Sequence, residues 1–154
     1  MVTTAPAISE QASVAAVPTL QQIQSLEAEL LQYPQTDPPI IHHFAAGLYA
    51  REMRVSAGTV LTGKMHRQQH ICVLSAGRVT VWTESGMRTV EAPFTFVAEP
   101  GTKRAMYAHT DAVWTTFHPT TETDLDRIEA DVIVPNEQIE NFRECRPCLG
   151  LQQR

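Results

Sequence analysis

Apolar residues recur along this chain in two rhythms. Between Thr19 and Tyr33, Ile23, Leu26, Leu30 and Tyr33 are spaced three and four apart, and Leu20 extends the stripe. That is the period of one helix face. Thr19 with Gln22 three residues later forms a capping-box pattern, and Pro34 ends the run, so the spacing predicts a helix over 19–33. From residue 40 the rhythm shortens to alternation within short runs rich in Val, Ile, Thr and aromatic residues, the signature of strands.

The predicted strands start with 40–44 and 48–55 around Gly47. In the second, Tyr49, Arg51, Met53 and Val55 share one face, and Ala50, Glu52 and Arg54 share the other. Residues 58–82 read as two short strands, a polar reversal and a third strand. Glu84-Ser85-Gly86-Met87 joins 79–83 to 87–91 as a hairpin, and 94–98 is a further strand ended by Pro100-Gly101. Strands over 103–109 and 113–118 form a predicted hairpin across Thr110-Asp111-Ala112. Thr121 caps a short helix over 122–130, and 131–134 is a last strand. Many short strands with turn signals between them predict a mainly β fold, a barrel or sandwich.

The organisation that follows is an arm and helix over 1–37, a barrel over 38–134 and a tail over 135–154. The helix stripe of Leu20, Ile23, Leu26, Leu30 and Tyr33 has two readings: a helix laid across its own barrel, or a contact between subunits. Residues 1–17 have no periodicity, and with the tail they are expected to need a surface to order them.

Composition narrows the function classes. At 154 residues, 43% hydrophobic and 19% charged, the chain suits one globular domain. A formal net charge of −5 argues against a general binder of nucleic acid or anionic membrane. No run reaches the length of a membrane span. The first residues lack a basic region and an apolar core, so no secretory signal is expected. Three cysteines suggest free thiols in a reducing compartment. Cys72 reads as a core thiol. Cys145 and Cys148 read as free thiols, against half a zinc site or a redox pair.

The candidate chemistry lies at His66 and His70. Residues four apart on a strand stand about 13 Å from each other, so these imidazoles share a site only if Arg67-Gln68-Gln69 turns the chain back. The run from Gly58 to Gly77 resembles the first motif of the cupin superfamily, small double-stranded β-helix barrels that commonly hold a metal. Counted back from Gly77, the motif's glutamate position falls on His70, its second histidine on His66 and its first on Lys64. The second motif resembles Glu99 to Arg104, with Arg104 at the histidine position. Stretches such as HHF, GLYARE, TFVAEPGTKR and VWTTFH also resemble small cupin proteins of tailed phages and prophages. The resemblance implies a single cupin-type, jelly-roll-like β-barrel.

It also implies a damaged metal site. A unit charge about 4 Å from a divalent ion costs roughly 8 kcal/mol of repulsion at an effective dielectric near 20, and arginine has no lone pair to offer. Strand parity and the predicted 103–118 hairpin put His109 and His118 on the outer wall. Of His42 and His43, one faces inward.

Three functions remain open. The leading expectation is a non-enzymatic, phage-type structural protein without a required cofactor, cytoplasmic in the host cell or built into a virion. Its partners would be its own copies or other phage structural proteins. The second is a metal-dependent cupin enzyme on a small polar or sugar-like substrate, with His66 and His70 holding a divalent transition metal. The third is a small-anion module using Lys64, His66, His70 and Arg104, with Tyr49 and Arg51 adding donors. The bland alternative pairs Arg104 with Glu52 or Glu99 and leaves the histidines as satisfied core groups.

Overall fold

The computed structural model describes residues 17–145. The 1–16 arm and the Cys148 end of the tail lie outside that range. Helix α1 spans Leu20–Leu30 and carries the expected capping box: Thr19 Oγ1 accepts from Gln22 N–H, and Gln22 Oε1 accepts from Thr19 N–H. Eleven strands follow: β1 Ile40–Ala45, β2 Leu48–Val55, β3 Val60–Thr62, β4 Met65–His66, β5 His70–Ala76, β6 Arg78–Thr83, β7 Gly86–Glu91, β8 Phe94–Ala98, β9 Ala105–Ala108, β10 Ala112–Pro119 and β11 Ile133–Val134. Helix α2, Leu125–Val132, precedes β11, and α3, Ile139–Cys145, follows a 3₁₀ turn. No helix among the described residues is long and apolar enough to cross a membrane.

The strands form two antiparallel sheets, ordered β1-β2-β10-β5-β8 and β3-β9-β6-β7, with β11 paired to β4. Between the sheets lie Val55, Cys72, Leu74, Val79, Val90, Ala98, Met106, Ala108, Ala112 and Trp114, all buried. Burying each of the larger side chains contributes about 1.5–3 kcal/mol. This is the mainly β barrel expected from the short alternating runs.

Two expectations need correction. β9 and β10 are not a hairpin: β9 pairs with β3 and β6, whereas β10 pairs with β2 and β5. The segment between them crosses from one sheet to the other, so strand parity does not carry across it. The helix α2 is capped by Asp124, whose side chain accepts from Arg127 N–H at 3.0 Å, not by Thr121.

The stripe of α1 packs on this chain's own barrel. Ile23 is buried, Leu20 packs near Met65, Val134 and Ile139, and Leu26 shares a groove with Val60, Trp82 and Tyr107. Leu30 is half-buried, and Tyr33 is exposed. Below Ile23, Glu27 reaches the barrel and meets Lys103, whose side chain is buried.

Candidate metal centre and cavity

The register of the five-stranded sheet stacks its inward side chains in three layers. Met53, Trp114, Leu74 and Phe94 make the lowest, and Arg51, Thr116, Cys72 and Phe96 the middle one. At the top, Tyr49 faces His118 and His70 faces Ala98. Polarity therefore rises along the barrel axis, from an all-apolar floor to a layer with two imidazoles.

His66 joins them from β4. The Arg67-Gln68-Gln69 reversal brings its ring to 4.1 Å from that of His70, centroid to centroid. His118 lies 5.2 Å from His66 and 4.8 Å from His70. One nitrogen from each of the three lies within 4.8 Å of the others. His118 was expected on the outer wall. It faces inward because alternation along β10 starts from the buried Ala112 and Trp114, independently of β9. His109 does face outward, bonded to Thr80 at 2.7 Å.

These rings are largely withdrawn from water, His70 and His118 buried and His66 half-buried. His70 Nδ1–H donates to the Gln68 carbonyl at 3.2 Å, which leaves Nε2 with its lone pair. That Nε2 and the Nδ1 of His66 are buried without a hydrogen-bond partner among the described residues. Burial holds His66 down to about 2 and His118 to about 4, each helped by its neighbouring histidines and nearby arginines. Burial also lowers His70, against the pull of the Gln68 carbonyl. All three are neutral at pH 7.

Neutral imidazoles are the form a metal ion binds. Nitrogens about 2.1 Å from one tetrahedral ion stand about 3.4 Å apart, so the trio, within 4.8 Å of one another, closes on an ion with about 1 Å of side-chain movement. The donor set fits a divalent transition metal. His118, expected on the outer wall from strand parity, joins His66 and His70 as a third donor where Lys64 and Arg104 offer none.

The basic residues do other things. Lys64 is exposed and pairs with Glu129 of α2. Arg104 lies over the Phe96 ring at 5.8 Å. Neither carboxylate proposed for Arg104 takes it: Glu52 binds His43 and Arg54 on the outer face, and Glu99 accepts from Gln69. His42, on the inward face, bonds Tyr49 Oη at 2.8 Å, and His43 points out. Burial raises the Tyr49 phenol above its usual range.

His66 and His118 open on a cavity of about 500 Å³, also lined by Tyr49, Arg51, Lys64 and Arg104. Helix α2 covers it with Ile128 and Val132. Its volume is that of small-molecule sites. Five of the six residues expected to bind a ligand line the cavity, Lys64 at its rim, while His70 lies behind the wall against His66 and His118. The signal for His118 was present in its own strand: four inward residues at period two, ending in histidine.

By sequence, no family model matches the chain, and no curated protein matches it. Solved structures do. A salicylate 1,2-dioxygenase from Pseudoaminobacter salicylatoxidans, in adducts with gentisate, aligns over 73% of this chain and 33% of its own length, at 14% identity and TM-score 0.51. This chain therefore spans about a third of that enzyme. KdgF from Halomonas sp. aligns over 62% of this chain and 90% of its own at 21% identity and TM-score 0.47. A cupin-2 domain protein from Shewanella frigidimarina aligns over 61% and 91% at 12% identity and TM-score 0.44. Identities this low speak to the fold alone. On its sheet architecture and on the likeness to the dioxygenase at TM-score 0.51, the chain folds as a cupin-type β-barrel.

Proposed function

We propose that this chain is a metal-binding cupin in which His66, His70 and His118 hold a divalent transition ion beside the cavity, and that the cavity admits a small polar substrate. One observation carries the reading: three neutral imidazoles converge, two of them buried and His66 half-buried, and a buried nitrogen of His66 and another of His70 have no partner among the described residues. Leaving such atoms unpaired costs about 1–3 kcal/mol each, a cost that coordination removes. When bound, the ion would supply Lewis-acid polarisation of a substrate oxygen or a lowered pKa for bound water. The chain's own residues orient that chemistry. Tyr49 Oη, held by His42, offers a hydrogen-bonding group at the cavity wall, and α2 shields the chamber from bulk water.

Docking into a virion or a homo-oligomer was expected to run through the helix, arm and tail. Much of the arm and tail lies outside the described residues, and the described part of α1 packs on its own barrel. Support for a function therefore comes from the cavity. The test is metal analysis of untagged protein incubated with Zn(II), Mn(II), Fe(II) or Ni(II) and then desalted. Near one equivalent is expected for at least one ion, lost in His66→Ala and His118→Ala and kept in His109→Ala. Wild-type protein that retains none of the four overturns the reading.

A further inference from the structure

The partly buried and buried cations of this chain mostly have fixed partners. Lys103 has Glu27, Arg143 has Glu84, and Arg67 has the Ile133 carbonyl and Gln138. Arg51 and Arg104 differ. Both line the cavity, and neither forms an ion pair among the described residues. Among the described residues the Arg51 side chain hydrogen-bonds only the Met53 sulfur, at 4.0 Å, and the Arg104 guanidinium has only the Phe96 face beneath it and no side-chain hydrogen bond. The acids of the lining, Asp126 and Glu129, are exposed on α2, and Glu129 is engaged by Lys64. A guanidinium withdrawn from water without an anion is costly, and its planar fork matches a carboxylate.

The level of these cations sets the shape of their ligand. Arg51 belongs to the middle layer, with Thr116 and Cys72, and Arg104 lies over Phe96 of the same layer. Above them are the histidines. Below, Met53 and Trp114 of one sheet face the row Leu61, Met106 and Val81 of the other, and all five line the cavity. A charged head at the arginines therefore has an apolar floor beneath it, about the size of a small ring or branched chain.

The geometry points to a small organic acid as the ligand: its carboxylate is held by Arg51 and Arg104, and its carbon body rests on Met53, Leu61, Val81, Met106 and Trp114. This rests on the same cavity as the metal reading and names what the cavity selects. An inorganic anion such as phosphate satisfies the arginines but leaves the floor uncovered, so it binds more weakly.

Calorimetric titration of the full chain with cyclohexanecarboxylate, its uncharged isostere cyclohexanecarboxamide and inorganic phosphate tests the assignment, with metal content measured on the same samples. The carboxylate is expected to bind at least ten-fold more tightly than either. Arg51→Met and Arg104→Met should each weaken it at least ten-fold without lowering ion content, Arg104→Lys should weaken it less, and Arg88→Met on the surface should change nothing. Circular dichroism checks folding, and if Arg104→Met fails to fold, Arg51→Met and Arg104→Lys carry the comparison. Equal binding of acid and amide, no heat from the acid, or undiminished binding in folded Arg51→Met overturns the proposal. If the carboxylate preference and its arginine dependence hold in protein that takes up no ion, the metal reading fails and this one stands.

Discussion

Lys103 Nζ lies 2.8 Å from Glu27 Oε1, with the lysine side chain 1% exposed and the glutamate 22%. The ammonium belongs to the barrel and the carboxylate to a helix outside it. Glu27 Oε1 also accepts from Thr62 Oγ1 at 3.1 Å. The contact is thus an electrostatic peg between α1 and the barrel, set beside the buried Ile23.

Removing only the acid should be severe. Glu27→Gln leaves a buried ammonium without its counter-charge, and breaking such a pair typically costs about 3–5 kcal/mol. Joint replacement, Glu27→Met with Lys103→Met, should recover all but about 1 kcal/mol, because the desolvation burden leaves with the charges. Urea unfolding of the single and double variants measures both. A Glu27→Gln variant within about 1 kcal/mol of wild type would show that the peg contributes little.

The histidine cluster makes the ion-free protein sensitive to acid. His118 is held at about 4 against 6.5 for an ordinary imidazole, and His66 at about 2. Between those values and 6.5 the unfolded chain binds protons that the folded chain refuses, so stability rises with pH. It is fully present above about pH 6.5 and lost as pH falls through 4. His118 alone accounts for about 3 kcal/mol by pH 4. Urea midpoints of ion-free protein at pH 7, 5.5 and 4.5 should decline accordingly, with a shallower slope in His118→Gln. Equal slopes in the two proteins would refute the assignment.

Gly77 turns β5 into β6 at φ +88°, and a Cβ there would stand 2.2 Å from the Asp111 carbonyl oxygen. Backbone cannot give way as a flexible side chain can. Gly77→Ala should cost about 4 kcal/mol or more, in the range of the largest single-site effects. At Gly47, φ +74° with open space around it, alanine should cost only about 1–2 kcal/mol from the left-handed backbone. Thermal denaturation of the two variants separates steric exclusion from conformational preference, and similar losses would contradict the distinction.

The fold was legible where local chemistry decides it. The capping box at Thr19 and Gln22, the shared face of Tyr49, Arg51 and Met53, and the β6–β7 hairpin all come from neighbours in sequence, whereas which face points inward does not. The pairing of His66 with His70 was legible too, because strand length forced a reversal between them. His118 was lost through one non-local assumption. Treating β9 and β10 as a hairpin tied its parity to Arg104, whereas the two strands join different sheets and share no register. Lys103 and Glu27 were invisible for a related reason: their charges meet only after the helix has docked. The fates of Lys64 and Arg104, one at the rim over α2 and one over Phe96, depend on depth within the barrel, which spacing does not encode.

His66 sits on the two-residue strand β4, and that strand's ladder partner is Ile133–Val134; its neighbour Arg67 donates its N–H to the Val132 carbonyl at 2.8 Å. During synthesis the first of the three imidazoles to be made therefore gains its ladder partner only once residues 133–134 have left the ribosome, and a product truncated before them lacks the pairing that seats His66 beside His70 and His118.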